Sequence, residues 1–390
     1  MSEIRVTNVI GENGNSPVNF TKGINMSGIC TAPAFIPSQG QLSHRNLITN
    51  GDFRINQRSS SSTSNGYHTM DRWYVYAANH SVTVTTAQVA ITSGNAYDDG
   101  FRKAAKISLS GAGTLANNTE ILFYQKIEAQ DLANSGWNYK SASSNITLSF
   151  WVKSSVAQTF AAHIRTEDGT AYIYSFTYTV AQANVWQKIT KTIPGNSNIT
   201  INDDNGSGLR VYVGVPAIGS DYTSGTADTW VVSSTSSKFP TVPNNWLTAG
   251  ASTFELTGVQ LEVGTVATPF EHRSYGDELA RCQRYFYKWV SSVAYSNMCI
   301  GYASSSTQVE TVFHLPVVMR ANPTFAYSGQ FRFVGYTPQN AKNLSNLVVN
   351  RSHPLTPYLR GTVSGSASGL VGEFGDSGSN DAAALFSADL

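Results

Sequence analysis

The chain has 390 residues, too many for one ordinary core and enough for two or three domains. Charged side chains make up 13% of it, 26 basic and 25 acidic, against roughly 25% in a typical soluble domain; 47 Ser and 37 Thr fill much of the gap. A net charge of +1 without a basic run argues against nucleic-acid binding, which rests on phosphate neutralisation. No apolar stretch approaches the roughly 18 residues needed to span a bilayer, so membrane insertion is not expected. Residues 1–15 lack a basic segment followed by an apolar block, so no secretory signal is expected. Three cysteines (Cys30, Cys282, Cys299) cannot form a disulfide framework and fit folding in a reducing cytoplasm.

In chain order, residues 1–44 combine Gly, Asn and Pro with isolated apolar residues (Val6, Val9, Ile10, Val18, Phe20, Ile24). Such an arm buries too little to fold alone and is expected to lie on another surface. Period-2 patterning then dominates. Strands are expected over Asp71–Tyr76, Ser81–Ile91, Arg102–Leu109, Ile121–Ile127, Ile146–Lys153, Phe160–Thr166, Ala171–Val180, Val185–Ile193, Leu209–Val215 and Phe254–Val263. Asp168-Gly169 is the hairpin signal between two of them. Tyr172, Tyr174, Phe176 and Tyr178 form one aromatic face, expected to point inward in a sandwich, with an exposed sugar-stacking platform as the rival reading. A short helix is expected at Ala129–Ala133. A longer one is expected from Tyr275 to about Tyr285, with Ser274 as N-cap and Asp277 three residues on. The expectation is an all-β protein in four segments: the arm (1–44), a β-sandwich domain (45–273), a connector helix (274–284) and a second, C-terminal β-sandwich (285–390).

The chemistry-bearing patterns are weak. Ala161-Ala162-His163 and Gly375-Asp376-Ser377-Gly378 echo the histidine and nucleophile boxes of serine proteases. Only 13 residues follow Ser377, too few to complete such a fold, so the echo reads as coincidence. Acidic residues cluster in turns (Asp98-Asp99, Glu167-Asp168, Asp203-Asp204), where local backbone bonding explains them; a glycosidase would need two of them flanking one bond. Residues 203–208 lack the later ligands of a calcium loop, and the seven histidines have no metal-ligand spacing. No catalytic residue, metal site or cofactor is therefore expected. Trp137 with Tyr139, Trp230 and Trp246 sit among turn residues and are the candidate glycan contacts, by ring stacking with flanking hydroxyls and amides.

An ordered series of motifs resembles tail fibres, receptor-binding proteins and other virion appendages of tailed bacteriophages, including marine and cyanobacterial ones. It comprises Asn46–Arg58, Asp71–Trp73, Phe123–Glu128, Leu148–Ser154, Leu256–Gly264, Thr268–Glu271 and Glu278–Phe286. The resemblance implies a carbohydrate-binding-module-like jelly roll and a homotrimer. It also implies docking onto another virion protein through residues 1–44 and contact with a host cell-surface glycan. The expected function is thus a non-enzymatic virion tail fibre or spike. Its rivals are a purely architectural head fibre, decoration or adaptor protein, and a polysaccharide depolymerase.

Overall fold

Alternation of apolar and polar residues gives each strand one inward face, and in this computed structural model the inward faces meet in two separate cores. The structure describes residues 43–336, 339–365 and 368–390. The arm residues Val6, Val9, Ile10, Val18, Phe20 and Ile24 lie outside them.

The first core lies between two six-stranded antiparallel sheets. In chain order the strands are β1 (Ser61–Ser62), β2 (Tyr74–Ala78), β3 (Val84–Ala90), β4 (Lys103–Leu109), β5 (Glu120–Glu128), β6 (Asn145–Ser154), β7 (Gln158–Thr166), β8 (Tyr172–Val180), β9 (Gln187–Pro194), β10 (Ser207–Ile218), β11 (Trp230–Val232) and β12 (Thr253–Val263). One sheet runs β1-β3-β4-β12-β6-β9 and the other β11-β8-β7-β10-β5-β2. The chain crosses repeatedly from one to the other, which gives a sandwich. Ile146, Leu148, Phe150 and Val152 of β6 share the core with Phe160, Ala162 and Ile164 of β7. Tyr174, Phe176 and Tyr178 are buried there too, so the aromatic face of β8 points inward.

β7 and β8 pair around the expected hairpin, where Gly169 takes φ +59°. One boundary differs in kind. Asp71–Trp73 is a turn and not the start of a strand, because Arg72 adopts φ 75° and the Trp73 amide donates to the Met70 carbonyl.

Among the described residues four short α-helices interrupt the sheets, α1 (Asn95–Asp98), α2 (Ala129–Ala133), α3 (Asn245–Thr248) and α4 (Tyr275–Gln283), with a 3-10 turn at Ser220–Tyr222. Ser274 caps α4 as its sequence predicts, accepting from the Asp277 amide at 3.1 Å.

After α4 come β13 (Phe286–Val290), β14 (Asn297–Ala303), β15 (Gln308–Val312), β16 (Thr324–Ser328), β17 (Phe331–Tyr336), β18 (Gln339–Asn343), β19 (Asn346–Arg351), β20 (Tyr358–Thr362), β21 (Val371–Asp376) and β22 (Ala383–Ser387). A three-stranded sheet, β13-β22-β16, packs on a seven-stranded one, β18-β17-β21-β14-β15-β20-β19, around Phe331, Phe333, Phe374 and Phe386. The fold is therefore all-β and sandwich-type, with a short helix before its second part.

A buried polar network fixes the stretch 46–58 against β12 and α4. The Asn46 amide accepts from Ile48 and Leu261, both at 3.0 Å, and donates to the Val259 carbonyl. The Asn50 amide bonds both backbone groups of Ile55 and the Asp71 carbonyl at 2.9–3.0 Å. Its own N–H donates to Glu278 of α4. Arg273 joins Glu271 at 3.0 Å to Glu278 at 3.2 Å. Gly51 is required because a Cβ there would sit 2.1 Å from the Val259 oxygen.

A second lock holds the two sandwiches together. The Glu128 carboxylate, fully buried, accepts two bonds at 2.8 Å from Arg284 and a third from the Tyr285 hydroxyl. Burial alone would raise the Glu128 carboxyl; these bonds outweigh it and hold it below its ordinary value. Arg72 lies 3.3 Å over the Tyr285 ring and Arg58 3.6 Å over Phe286. Arg320 donates to the carbonyls of Asn205, Ala388 and Asp389.

Asp376 organises the turn between β21 and β22. Its carboxylate accepts from the amides of Tyr295, Gly378, Asn380 and Ala382. Burial pushes the carboxyl up, but those four donors more than offset it and leave it below its ordinary 3.8.

Two outcomes are expected. Asn50→Ala strands buried backbone groups at Ile55 and Asp71 and should cost at least about 2 kcal/mol in chemical denaturation. Asp376 contributes fully above the unfolded carboxyl value and loses its contribution as pH falls through the lower, folded one. The unfolding temperature should therefore drop on acidification below about pH 4, and Asp376→Asn should blunt that dependence.

Candidate functional site

The four aromatic residues expected to meet glycan are not brought together. Trp246, in α3, is wholly buried, and its indole donates to the Thr253 carbonyl at 2.9 Å. Trp137 follows α2, is 2% exposed and donates to Ser144. Both rings plug the sandwich interior and present no stacking face, which corrects the reading from their turn-rich neighbours. Tyr139, beside Trp137, is half-buried and donates to the Ile201 carbonyl. Trp230 starts β11, leans edge-on against Tyr174 at 5.5 Å and donates to the Pro194 carbonyl at 2.7 Å. Tyr139 and Trp230 stay half-buried against the same core, and in all four rings the polar atom has found a nearby carbonyl.

The serine-protease echo separates in space as well. His163 belongs to β7 of the first sandwich and Ser377 follows β21 of the second. Asp204 accepts from the Gly206 amide in a local turn. Among the described residues, no group of three or more His, Cys, Asp or Glu is placed to hold a metal.

What the sheets do assemble is the outer face of β2-β5-β10-β7. Antiparallel register puts directly opposed residues on the same side of a sheet. Tyr74 faces Tyr124, Tyr124 faces Tyr212, and Tyr212 faces His163. The rings touch in series: Tyr74–Tyr124 at 4.9 Å, Tyr124–Tyr212 at 4.6 Å and Tyr212–His163 at 4.1 Å. Tyr67 adds an edge-on contact to Tyr74 at 5.0 Å. At the other end Phe239 covers His163 at 4.5 Å.

The next row of the same face is basic. Lys126 opposes Arg210, and Arg210 opposes Arg165. Like charges directly opposed across strands destabilise a sheet. One carboxylate, Glu167, answers the two arginines, taking Arg165 at 2.8 Å and Arg210 at 2.7 Å. Arg210 also donates to the Tyr212 hydroxyl at 2.9 Å. Burial, and then Arg210, lower the Lys126 ammonium from its ordinary value.

The loop before α3 forms a wall over this face. Lys238 pairs with Glu120 at 2.8 Å and lies 4.3 Å over the Tyr222 ring, which ties the loop down. Its carbonyl meets His163 Nδ1 at 3.0 Å. A carbonyl only accepts, so Nδ1 carries the proton and Nε2 carries a lone pair. Burial, with Lys238, Arg165 and Arg210 adding repulsion, pushes the imidazole down to about 3, so it is neutral. Between this loop and the arginines lies a cleft of about 370 Å³, within the range of small-ligand sites. A second cavity of similar volume lies between residues 44–49, α2 and Arg281, without a Tyr, Trp or Phe in its walls.

Of this aromatic row Tyr124 and Tyr212 are buried and Tyr74 is half-buried, so Tyr74 is where a ring-shaped ligand can stack; the cleft itself offers Arg165 as a charged donor and the unpartnered Nε2 of His163 as an acceptor. Spacing in the sequence could not single out these residues, since they come from strands far apart in the chain.

No protein-family model matches the chain, and no curated protein does. Among solved structures it is similar to the enzymatically active domain of tailspike protein 4 of bacteriophage CBA120 (13% identity, TM-score 0.30, 56% of this chain and 21% of that one). It is also similar to a putative sugar binding protein from Bacteroides thetaiotaomicron (13%, 0.31, 56% and 100%) and to a xylan-binding domain from Paenibacillus barcinonensis (10%, 0.27, 60% and 100%). The chain spans about a fifth of the tailspike's length. At these scores and identities the likeness carries no function to this chain.

Trp246→Ala should lower the folding free energy by about 3–5 kcal/mol, read from the denaturant midpoint, because it empties a core site. Unchanged stability would place the ring outside the core.

Proposed function

We propose that this chain is a non-enzymatic virion protein of a tailed bacteriophage, a homotrimeric fibre or spike that binds a glycan on the host surface. The observation that carries the glycan part is the outer face of β2-β5-β10-β7. There the half-buried Tyr74 ends a row whose other tyrosines, Tyr124 and Tyr212, are buried; a row of cations adjoins it, and a loop-walled cleft opens beside them. Aromatic faces supply stacking for sugar rings, and fixed hydrogen-bond donors and acceptors beside them supply orientation. The virion part rests on the ordered motifs between Asn46 and Phe286. In this reading residues 1–44 dock onto another virion protein, and three copies multiply a weak single-site affinity through effective concentration.

The experiment combines readouts on the purified chain with the adsorption of particles that lack it. Light scattering should return three times the 42.1 kDa chain mass; a monomer removes the trimer. Host surface polysaccharide should bind and keep its chain length. Shortened polysaccharide would instead favour a depolymerase, and particles that adsorb normally without this protein would favour an architectural role. Tyr74→Ala should weaken glycan binding by about three- to tenfold.

A further inference from the structure

The cationic row on the sheet's outer face is only partly neutralised within the sandwich: Glu167 bridges Arg165 and Arg210, and Arg210 lies 5.0 Å from the Tyr124 ring centroid, while among the described residues no carboxylate pairs with Lys126. Lys126, Arg210 and Arg165 stand side by side on β5, β10 and β7, where each like-charged neighbour works against the sheet by roughly 0.2–1 kcal/mol. A scaffold alone is served better by Thr or Gln at such positions. Glu167 is the carboxylate that bonds the two arginines. Lys238, on the opposite wall, is committed to Glu120. The Lys126 ammonium has no hydrogen-bond partner among the described residues, and Arg72, which approaches the row through the Lys126 carbonyl, adds a further cation. Of these cations Arg165, Arg210 and Lys238 line the cleft itself, and the two carboxylates that pair with them, Glu167 and Glu120, leave one positive charge over.

A second, independent feature lies in the wall of the same cleft. His163 is 1% exposed and forms part of the cleft wall. Its Nδ1–H is used by the Lys238 carbonyl, and its Nε2 has no partner. A buried polar atom without a partner is costly, and this one is an acceptor. It cannot receive an anion's oxygen; it can receive a hydroxyl proton. Ser233, Ser234 and Thr235 line the loop side; Ser233 already accepts from Arg165 and Ser234 bonds Ser237. The cleft therefore offers cationic donors for an acid group and, across from them, a neutral acceptor for a hydroxyl.

We propose that this cleft binds an anionic sugar residue, its carboxylate or sulfate ester held by Arg165 and Arg210 and a ring hydroxyl donated to His163 Nε2. This rests on reading the same sheet face as a glycan site and narrows that reading to acidic glycans. Arg165 already gives Nη1 to Glu167 and Nε to Ser233, so an anionic group meets it through Nη2, which leaves the Glu167 pair in place. The Tyr212 hydroxyl, already accepting from Arg210, closes the cleft floor. A cleft of about 370 Å³ accommodates one or two sugar units of a longer chain.

The test titrates the full chain with lactose, sialyllactose and sulfated lactose, and with trigalacturonate and its methyl ester, by calorimetry. The acidic members should bind at least about tenfold more tightly than their neutral counterparts, the size expected of a hydrogen bond to a charged group. Sialyllactose against sulfated lactose separates carboxylate from sulfate. Arg165→Gln should remove most of that preference. Thr235→Trp, an exposed loop substitution that fills the cleft, should abolish acidic binding with the unfolding temperature unchanged. Equal binding of acidic and neutral members overturns the acidic cleft and leaves the glycan reading standing. Acidic binding that survives both substitutions places the ligand elsewhere and also overturns it. No binding to any of the five probes overturns both readings.

Discussion

The constraint on which the rest of this structure depends is the buried amide-and-carboxylate network that ties residues 46–58 to β12 and to α4. Irregular backbone cannot enter a core unless its N–H and C=O groups find partners. Asn46 and Asn50 provide them, each acting as donor and acceptor for backbone that no strand neighbour reaches. Glu278 and Arg273 extend the arrangement to the helix that leads into the second sandwich. With Glu128 gripping Arg284 and Tyr285 just past the end of that helix, the first sheets, the helix and the second sandwich are joined by two sets of bonds that include charge-assisted ones. Such bonds are stronger and more directional than apolar contact. That rigidity matters for a contact surface, whose affinity depends on paying little ordering entropy at binding.

The resemblance to phage appendage proteins is carried almost entirely by this scaffold. Asn46, Asn50, Asp71, Trp73, Glu128, Gln260, Glu262, Glu271 and Glu278 all lie in the quoted motifs, and each bonds the polar network, the adjoining turns or the joint to the second sandwich. Within those motifs Tyr124 and Lys126 are the residues that face the proposed site. His163, Arg165, Arg210, Tyr212 and the loop at 233–238 lie outside them. The motifs therefore speak about how the chain folds, while the ligand is decided by residues the resemblance does not constrain.

How much could be read from the residues alone follows the range of the interaction concerned. Strand positions rest on period-2 alternation, a local signal, and β3 to β10 and β12 fall within a few residues of where alternation puts them. The Ser274 cap is equally local. Asp71–Trp73 failed because its aromatic and basic residues look strand-like, while the turn is forced by tertiary bonds: Asp71 accepts from Gln57, and Trp73 donates to the Asn50 carbonyl. The loop tryptophans failed for a related reason. Asn, Gly and Thr around Trp137 and Trp246 announce turns correctly, but a turn's composition does not tell which way its largest side chain points. A ring of that size gains most by filling the end of a sandwich.

The basic row shows the limit from the other side. Lys126, Arg165 and Arg210 are separated by tens of residues, and nothing in their local sequence sets them apart from solvated strand cations. Only the register of β5, β10 and β7 makes them neighbours. Once they are neighbours, their charge becomes an anomaly within the sandwich, because burial weakens the screening that would otherwise make the row harmless. The imidazole of His163 sharpens the point. Between Tyr212 and Phe239, with its Nδ1 proton fixed on the Lys238 carbonyl, it is held neutral among cations. Its remaining lone pair has no partner, in the wall of a cleft lined by Arg165, Arg210 and Lys238. A site that pairs several donors with one fixed acceptor selects a ligand carrying acid and alcohol together, which is a narrower demand than ring stacking on the adjoining tyrosines would make.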